Sequence, residues 1–285
     1  MSIRELLKSN RQIYKLAIQI GEMQYLIKRY VRAYLVANMT FNIKRFLRVH
    51  NFTKNNPYEN LKGLKNKHKG ERCFIVATGP SLTIEDLEKL RNETTISMNS
   101  ICLAFEDTDW RPTYYGIQDE NVYKRMEKYI EELDCEGKFL SQSILEQLKI
   151  KMPDDYYIFP LYFLKQKVQK KRYHTKFSND IFSVVYSGYT ITYCLLQIAA
   201  YMGFKEIYLL GTDCHYSSNM RHHFKDYDYV DSTFASAGDM MTGAYRVAKE
   251  YADQNNIKIY NATRGGRLEV FKRVDLDEVL MNKTK

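Results

Sequence analysis

Cysteine and proline are both scarce in this 285-residue chain, at five residues each. The cysteines, at 73, 102, 135, 194 and 214, form no CxxC pair and no zinc spacing. Structural zinc and a disulfide framework are therefore not expected, and scattered thiols in odd number are those of a reduced, cytoplasmic protein. No run of about 18 apolar residues occurs, so no spanning helix is expected. The N-terminus lacks the short apolar core and small-residue cleavage site of a secretory signal. Also missing are the GK[ST] ending of a Walker loop and a GxGxxG followed by an acidic residue about 20 positions on. P-loop ATP hydrolysis and nicotinamide chemistry both lose ground. No zinc finger, RNP motif or recognition helix is present, so nucleic acid is not expected as a partner.

What is present is globular. A 45% hydrophobic and 14% aromatic content excludes a disordered chain. The net charge is +9, and it is uneven: residues 1–48 hold ten Lys or Arg against two Glu, leaving the rest nearly neutral. The charge belongs to this basic segment and not to the body. Residues 3–37 read as one long helix with no Pro and a single Gly. Leu6, Ile13, Ile20, Ile27 and Tyr34 recur every seven residues, with Leu16, Met23 and Tyr30 three positions after Ile13, Ile20 and Ile27. Such an a/d seam suits a helix packed on its own domain or a homo-oligomer contact. It equally suits a basic amphipathic helix lying peripherally on the inner membrane face. Residues 49–70 are polar and turn-rich and read as a linker.

From Glu71 on, apolar runs alternate with helical patterns. "RCFIVAT", "TTISMN", "TYYGIQ", "KFLSQ", "YYIFPL", "KEIYLLGTD" and "IKIYNAT" read as strands. "TIED" opens a helix as a capping box. "ENVYKRMEKYIEEL", "SGYTITYCLLQIAAYMGF" and "AGDMMTGAYRVAKEYADQNN" read as helices. This alternation predicts an α/β domain over 71–285, Rossmann-like, with a mostly parallel sheet and helices on both faces. The basic run at 165–176 reads as a solvated loop.

In such a sheet, ligands bind beyond the carboxyl ends of the strands. Those tips are Thr78-Gly79-Pro80-Ser81, Asn99-Ser100, Gln118-Asp119, Gly211-Thr212-Asp213 and Asn261-Ala262-Thr263, with Ser187-Gly188 opening a helix nearby. Small, amide and hydroxyl side chains suit a nucleotide's base and ribose, and free N–H groups at helix starts suit its phosphate. Taken singly, a glycine at a strand end is turn chemistry; six polar tips together point to a nucleotide. Residues 214–238 form a long segment at the same edge and read as a lid. It holds His215, His222 and His223, with Tyr216, Tyr227 and Tyr229. Imidazole suits general-base work near neutral pH, and no metal site is expected, since adjacent histidines point apart.

"FIVATGPSL", "ISMNS" and "SGYTITYCLLQIAAYMGFKEIYLLGTDCHY" resemble the bacterial sialyltransferases of glycosyltransferase family 42. They are equally similar to the wider MptE-like group, which includes archaeal 6-hydroxymethylpterin pyrophosphokinases and the central domain of motility-associated factors. The resemblance covers roughly residues 71–270. It implies an inverting, metal-independent, cofactor-free transferase using a CMP-activated sugar. In that scheme Thr78, Gly79, Pro80 and Ser81 line phosphate and ribose, and Asn99, Gln118 and Asp119 face the nucleotide or donor sugar. Ser187 and Gly188 meet the cytosine, Asp213 helps hold the nucleotide, and His215 and Tyr216 occupy the region of the family's lid tyrosines. The family's catalytic His falls near Asp239 by spacing, so the base is His222, His223 or Asp239. The acceptor would be a glycan or lipid-linked glycan of surface polysaccharide assembly. The pterin enzymes imply an alternative, a Mg²⁺-dependent diphosphokinase drawing on Asp119, Glu120, Asp213 and Asp239. A non-catalytic scaffold on a decayed transferase fold is the third reading.

Overall fold

Short runs rich in β-branched and aromatic residues give most of the ten strands among the residues described. The computed structural model describes residues 11–149, 155–163, 175–215, 224–225 and 234–282. The chain divides into two units, Met1–Phe52 with Phe163–His174, and Thr53–Tyr162 with Thr175–Lys285.

The second unit is an open parallel sheet. Its strands are β1 (Arg72–Val76), β2 (Thr95–Met98), β3 (Tyr114–Ile117), β4 (Gly137–Ser141) and β5 (Tyr156–Phe159), followed by the two-residue strands β6 (Leu161–Tyr162) and β7 (Val185–Tyr186). The chain then adds β8 (Glu206–Leu210), β9 (Lys258–Asn261) and β10 (Lys272–Arg273). Strands β6 and β7 pair apart; the other eight run in the order β10-β9-β8-β1-β2-β3-β4-β5, every pair parallel. The α/β, Rossmann-like expectation is met.

Strands β1 to β4 are buried almost end to end, as a sheet covered on both faces requires. Phe74, Tyr208 and Tyr260 are cross-strand partners on β1, β8 and β9, and their rings stack at 5.0 and 5.1 Å. Residues 53–70, within the stretch expected as a linker, are built into this unit. A 3₁₀ turn at Glu59–Leu64 buries Leu61 and Leu64, and the backbone N–H groups of Asn66 and His68 bond to the carbonyls of Tyr201 and Met202.

In the first unit, helix α1 (Arg11–Tyr30) runs into a π-helical turn at Val31–Val36 and then helix α2 (Ala37–Val49). The helix thus continues beyond residue 37 to the end of the basic segment of residues 1–48. Nothing between Val36 and Val49 breaks it, and it ends where Asn51 takes a positive φ of 59°. The second unit supplies α3 (Ile84–Lys89), α4 (Glu120–Glu132), α5 (Gln142–Leu148), α6 (Ile191–Met202), α7 (Phe234–Gln254) and α8 (Leu276–Met281). Helix α6 begins four residues later than the sequence pattern suggests. Tyr189 adopts a φ of 64°, and Thr190 caps the helix through Thr192 N–H.

Candidate active site

From β1 the chain winds outward through β2 to β5, then returns to place β8 on the other side of β1. The β1–β8 boundary is therefore the switch point of the sheet, where the connecting loops part and leave a crevice. Val76 and Leu210 are partners at its edge. The pairing runs on past the strand ends: Ala77 N–H donates to Leu210 O at 2.8 Å and Gly79 N–H to Gly211 O at 2.9 Å.

This close approach explains two glycines. A Cβ on Gly79 would lie 2.0 Å from Asp213 Oδ2 and 2.4 Å from Gly211 O. Gly211 has a φ of +65°, and its Cβ would lie 2.5 Å from Ala77 O. Asp213 is locked into the gap so formed. Ser81 Oγ donates to Asp213 Oδ2 at 2.8 Å, with Ser81 N–H at 3.5 Å from the same oxygen. Behind it, Arg267 N–H donates to Asp213 O at 2.7 Å, across a turn in which Gly266 has φ +70°. Burial pushes the Asp213 carboxyl above its ordinary range, while the Ser81 bonds and the neighbouring His215 pull it back.

The other tips gather around this pair. Asn99, at φ 49°, opens a 3₁₀ turn over Asn99–Glu106, and Tyr115 hydroxyl donates to its carbonyl at 2.7 Å. The amide oxygen of Asn99 and the hydroxyls of Ser100 and Thr212 are buried with no hydrogen-bond partner among the described residues. Buried polar atoms are paired in nine cases of ten or more; of five such unpaired atoms among the described residues these three sit at the strand tips, the other two being Trp110 Nε1 and the Tyr123 hydroxyl oxygen. Gln118 accepts from the Cys194 thiol of α6 at 3.2 Å. The hydroxyl of Thr192 lies 3.3 Å from Met98 Sδ, which sets the amino end of α6, its positive pole, at the carboxyl end of β2.

Some expected residues have structural duties. Asp119 caps α4, accepting from the N–H groups of Asn121 and Val122. Ser187 is buried, with its N–H on Tyr162 O and its carbonyl accepting from Thr175 Oγ1. Gly188 lies where a Cβ would meet Tyr193 Cγ at 2.3 Å. Thr78 is buried, and its carbonyl accepts Phe224 N–H at 3.1 Å. Lys225 donates to Leu103 O at 2.7 Å and pairs with Asp107, so these two residues of the expected lid rest beside the tips. His215 is half-buried beside Asp213, and Asp239 is exposed on α7. Tyr216, Tyr227, Tyr229, His222 and His223 lie outside the described residues, as does most of the basic run at 165–176.

Sequence reasoning missed Arg264. From the turn after β9 it holds the buried Asp86 through Nη1 and Nη2, and Nη2 reaches Thr83 Oγ1 at 3.2 Å. Thr83 and Asp86 form the capping box of α3, so its amino end is closed by its own side chains. The paired glycines after Arg264, both at positive φ, were the available signal.

A family model described as 6-hydroxymethylpterin diphosphokinase MptE-like matches residues 45–219. The chain belongs to the MptE-like family. The match takes in the β1, β2 and β3 tips, α6 and the Gly211–Asp213 tip. No curated protein matches the chain. Among solved structures it is similar to the MAf glycosyltransferase from Magnetospirillum magneticum AMB-1, at 16% identity and a TM-score of 0.48. That alignment covers 74% of this chain but 34% of the larger protein.

Proposed function

We propose that this MptE-like chain is a glycosyltransferase that moves a sugar from a CMP-linked donor to a glycan or lipid-linked acceptor in surface glycoconjugate assembly. One observation carries the reading: three buried, unpartnered polar atoms surround the β1–β8 switch point, where Asp213 is pinned by Ser81. Nucleotides bind at such switch points. Thr78 to Ser81 border the phosphate, and Asp213 accepts from a ribose hydroxyl. The positive pole of α6 offsets the charge that develops on the departing phosphate.

The acceptor hydroxyl attacks the anomeric carbon, the bond from that carbon to the phosphate oxygen breaks, and CMP leaves with the bonding electrons. The hydroxyl's proton passes to a base. The candidates for that base are His215, half-buried beside Asp213, with His222, His223 and Asp239, and Tyr216 is the candidate to steady the phosphate.

The family's description favours a second reading, a Mg²⁺-dependent diphosphokinase. Among the described residues no group of three metal-binding side chains assembles. Mg²⁺ in nucleotide sites, however, needs only one or two carboxylates besides the phosphates, and Asp213 fits that part. When bound, the ion would neutralise charge on the transferred phosphoryl group.

Calorimetric titration with CMP, UDP, GDP and ATP, with and without Mg²⁺, separates the readings. CMP binding in EDTA supports the transferase. Tight ATP binding only with Mg²⁺ supports the diphosphokinase. Absence of all binding overturns both and leaves a scaffold.

A further inference from the structure

Helix α1 exposes Ile13, Leu16, Ile20, Met23 and Ile27, each 42% or more accessible, along one stripe, with Ile18, Tyr25 and Leu26 exposed off it. Helix α2 exposes Met39, Ile43 and Phe46 at 50% or more along another. In an unbroken α-helix these stripes would not line up. The twelve residues from Ile27 to Met39, at about 100° each, leave them roughly a third of a turn apart. The π turn at Val31–Val36 lies between them. A π turn takes nearly one residue more than an α turn, so six residues of it lag by about that third. The two stripes then fall on one face, continuous from Ile13 to Phe46.

The same turn removes the basis for a coiled coil. The heptad seam calls for Tyr34 after Ile27, yet Tyr34 is half-buried with partners of its own. Residues 1–48 also hold ten basic and two acidic side chains, so two copies side by side would repel, with too few acidic groups to form the flanking pairs such dimers use. An anionic surface has the complementary charge. Lys15, Lys28 and Lys44 are exposed beside or opposite the stripe. No described helix is long and apolar enough to cross a membrane. An amphipathic basic helix of this kind lies in the bilayer interface.

We infer that residues 11–49 dock on the surface of an anionic lipid bilayer through one apolar stripe that the π turn brings into phase. The inference is independent of the chemistry assigned to the crevice.

The test is sedimentation of the full chain with vesicles of phosphatidylcholine, alone or with about a third phosphatidylglycerol. Binding to the anionic vesicles only is expected, falling tenfold or more from ~0.05 to ~0.5 M salt. Leu16→Ser with Met23→Ser, or Lys15→Glu with Lys28→Glu, should each weaken it at least tenfold, with the melting temperature unchanged because these side chains are exposed. Two alanines inserted between Val36 and Ala37 turn the second stripe by roughly 200° and should weaken binding severalfold without changing composition. Equal binding to both vesicle types, binding to neither, or native-like binding by the insertion variant overturns the inference. A stable dimer that Leu16→Ser dissolves assigns the stripe to a second copy and also overturns it.

Discussion

Helices α1 and α6 are both rich in Ile, Leu, Met and Tyr, yet they have opposite fates. Eleven of the twelve residues of α6 are buried, including Gln197, whose amide is fully hydrogen-bonded inside. In α1 every side chain described is exposed. The cause is the distribution of charge. Helix α6 carries no charged residue and is apolar on all sides, which suits burial against a sheet. Helix α1 carries Lys15, Glu22 and Lys28 beside and behind its apolar stripe. A stripe one face wide, with charges behind it, can be covered without drying the whole helix. Hydrophobicity alone therefore does not say whether a helix belongs to a core; the width of its apolar face does.

Truncation is the strongest way to break this comparison. Leu195→Ala removes a fully buried side chain that packs where Gly116 has no room for a Cβ. It should cost about 2–5 kcal/mol in chemical denaturation. Leu16→Ala, at 57% exposure, should stay within about 0.5 kcal/mol. Similar losses at both positions would mean that α1 is part of the core.

At the crevice, Gly79→Ala forces a methyl into Asp213 and Gly211. A loss of about 1–3 kcal/mol is expected, with nucleotide binding abolished in calorimetry. Binding retained with that substitution would remove the crevice from the nucleotide site. Arg264→Ala strips the half-exposed partner from buried Asp86. Because Thr83 still donates to Asp86, and because Arg264 is solvent-screened, about 1–2 kcal/mol is expected in the same measurement.

The smallest effect sharpens the electrostatics. Asp213 has a raised pKa in the folded state through burial. Its protonated form is favoured by folding, so its contribution is full below the unfolded value and is lost as pH rises through the folded one. Asp213→Asn should therefore melt higher than the native chain at pH 7, with the gap closing as pH falls below about 4. A lower melting temperature at pH 7 would show that the charged carboxylate is stabilised where it sits.

Much of the fold was legible from the sequence. Buried strands of a parallel sheet read as continuous apolar runs, and "RCFIV" and "EIYLL" state this without ambiguity. The tips were legible because Gly211 follows its run directly and Gly79 follows its own within three residues. Three features were hidden because each depends on residues far apart in the chain. Arg264 lies 178 positions from Asp86. The role of Asp119 as a cap shows only in the turn it closes. The burial of Leu61 and Leu64 inside an apparent linker depends on contacts that polar composition conceals.

By itself the sequence determined the class of fold, the charged segment and the six polar tips, since periodicity and local turn chemistry are properties of neighbouring residues. Only the tertiary structure decided which tips meet. The return of the chain to β8 beside β1 sets Asp213 against Gly79 and Ser81, and a π turn set between two helices aligns stripes that sequence spacing alone would place a third of a turn apart.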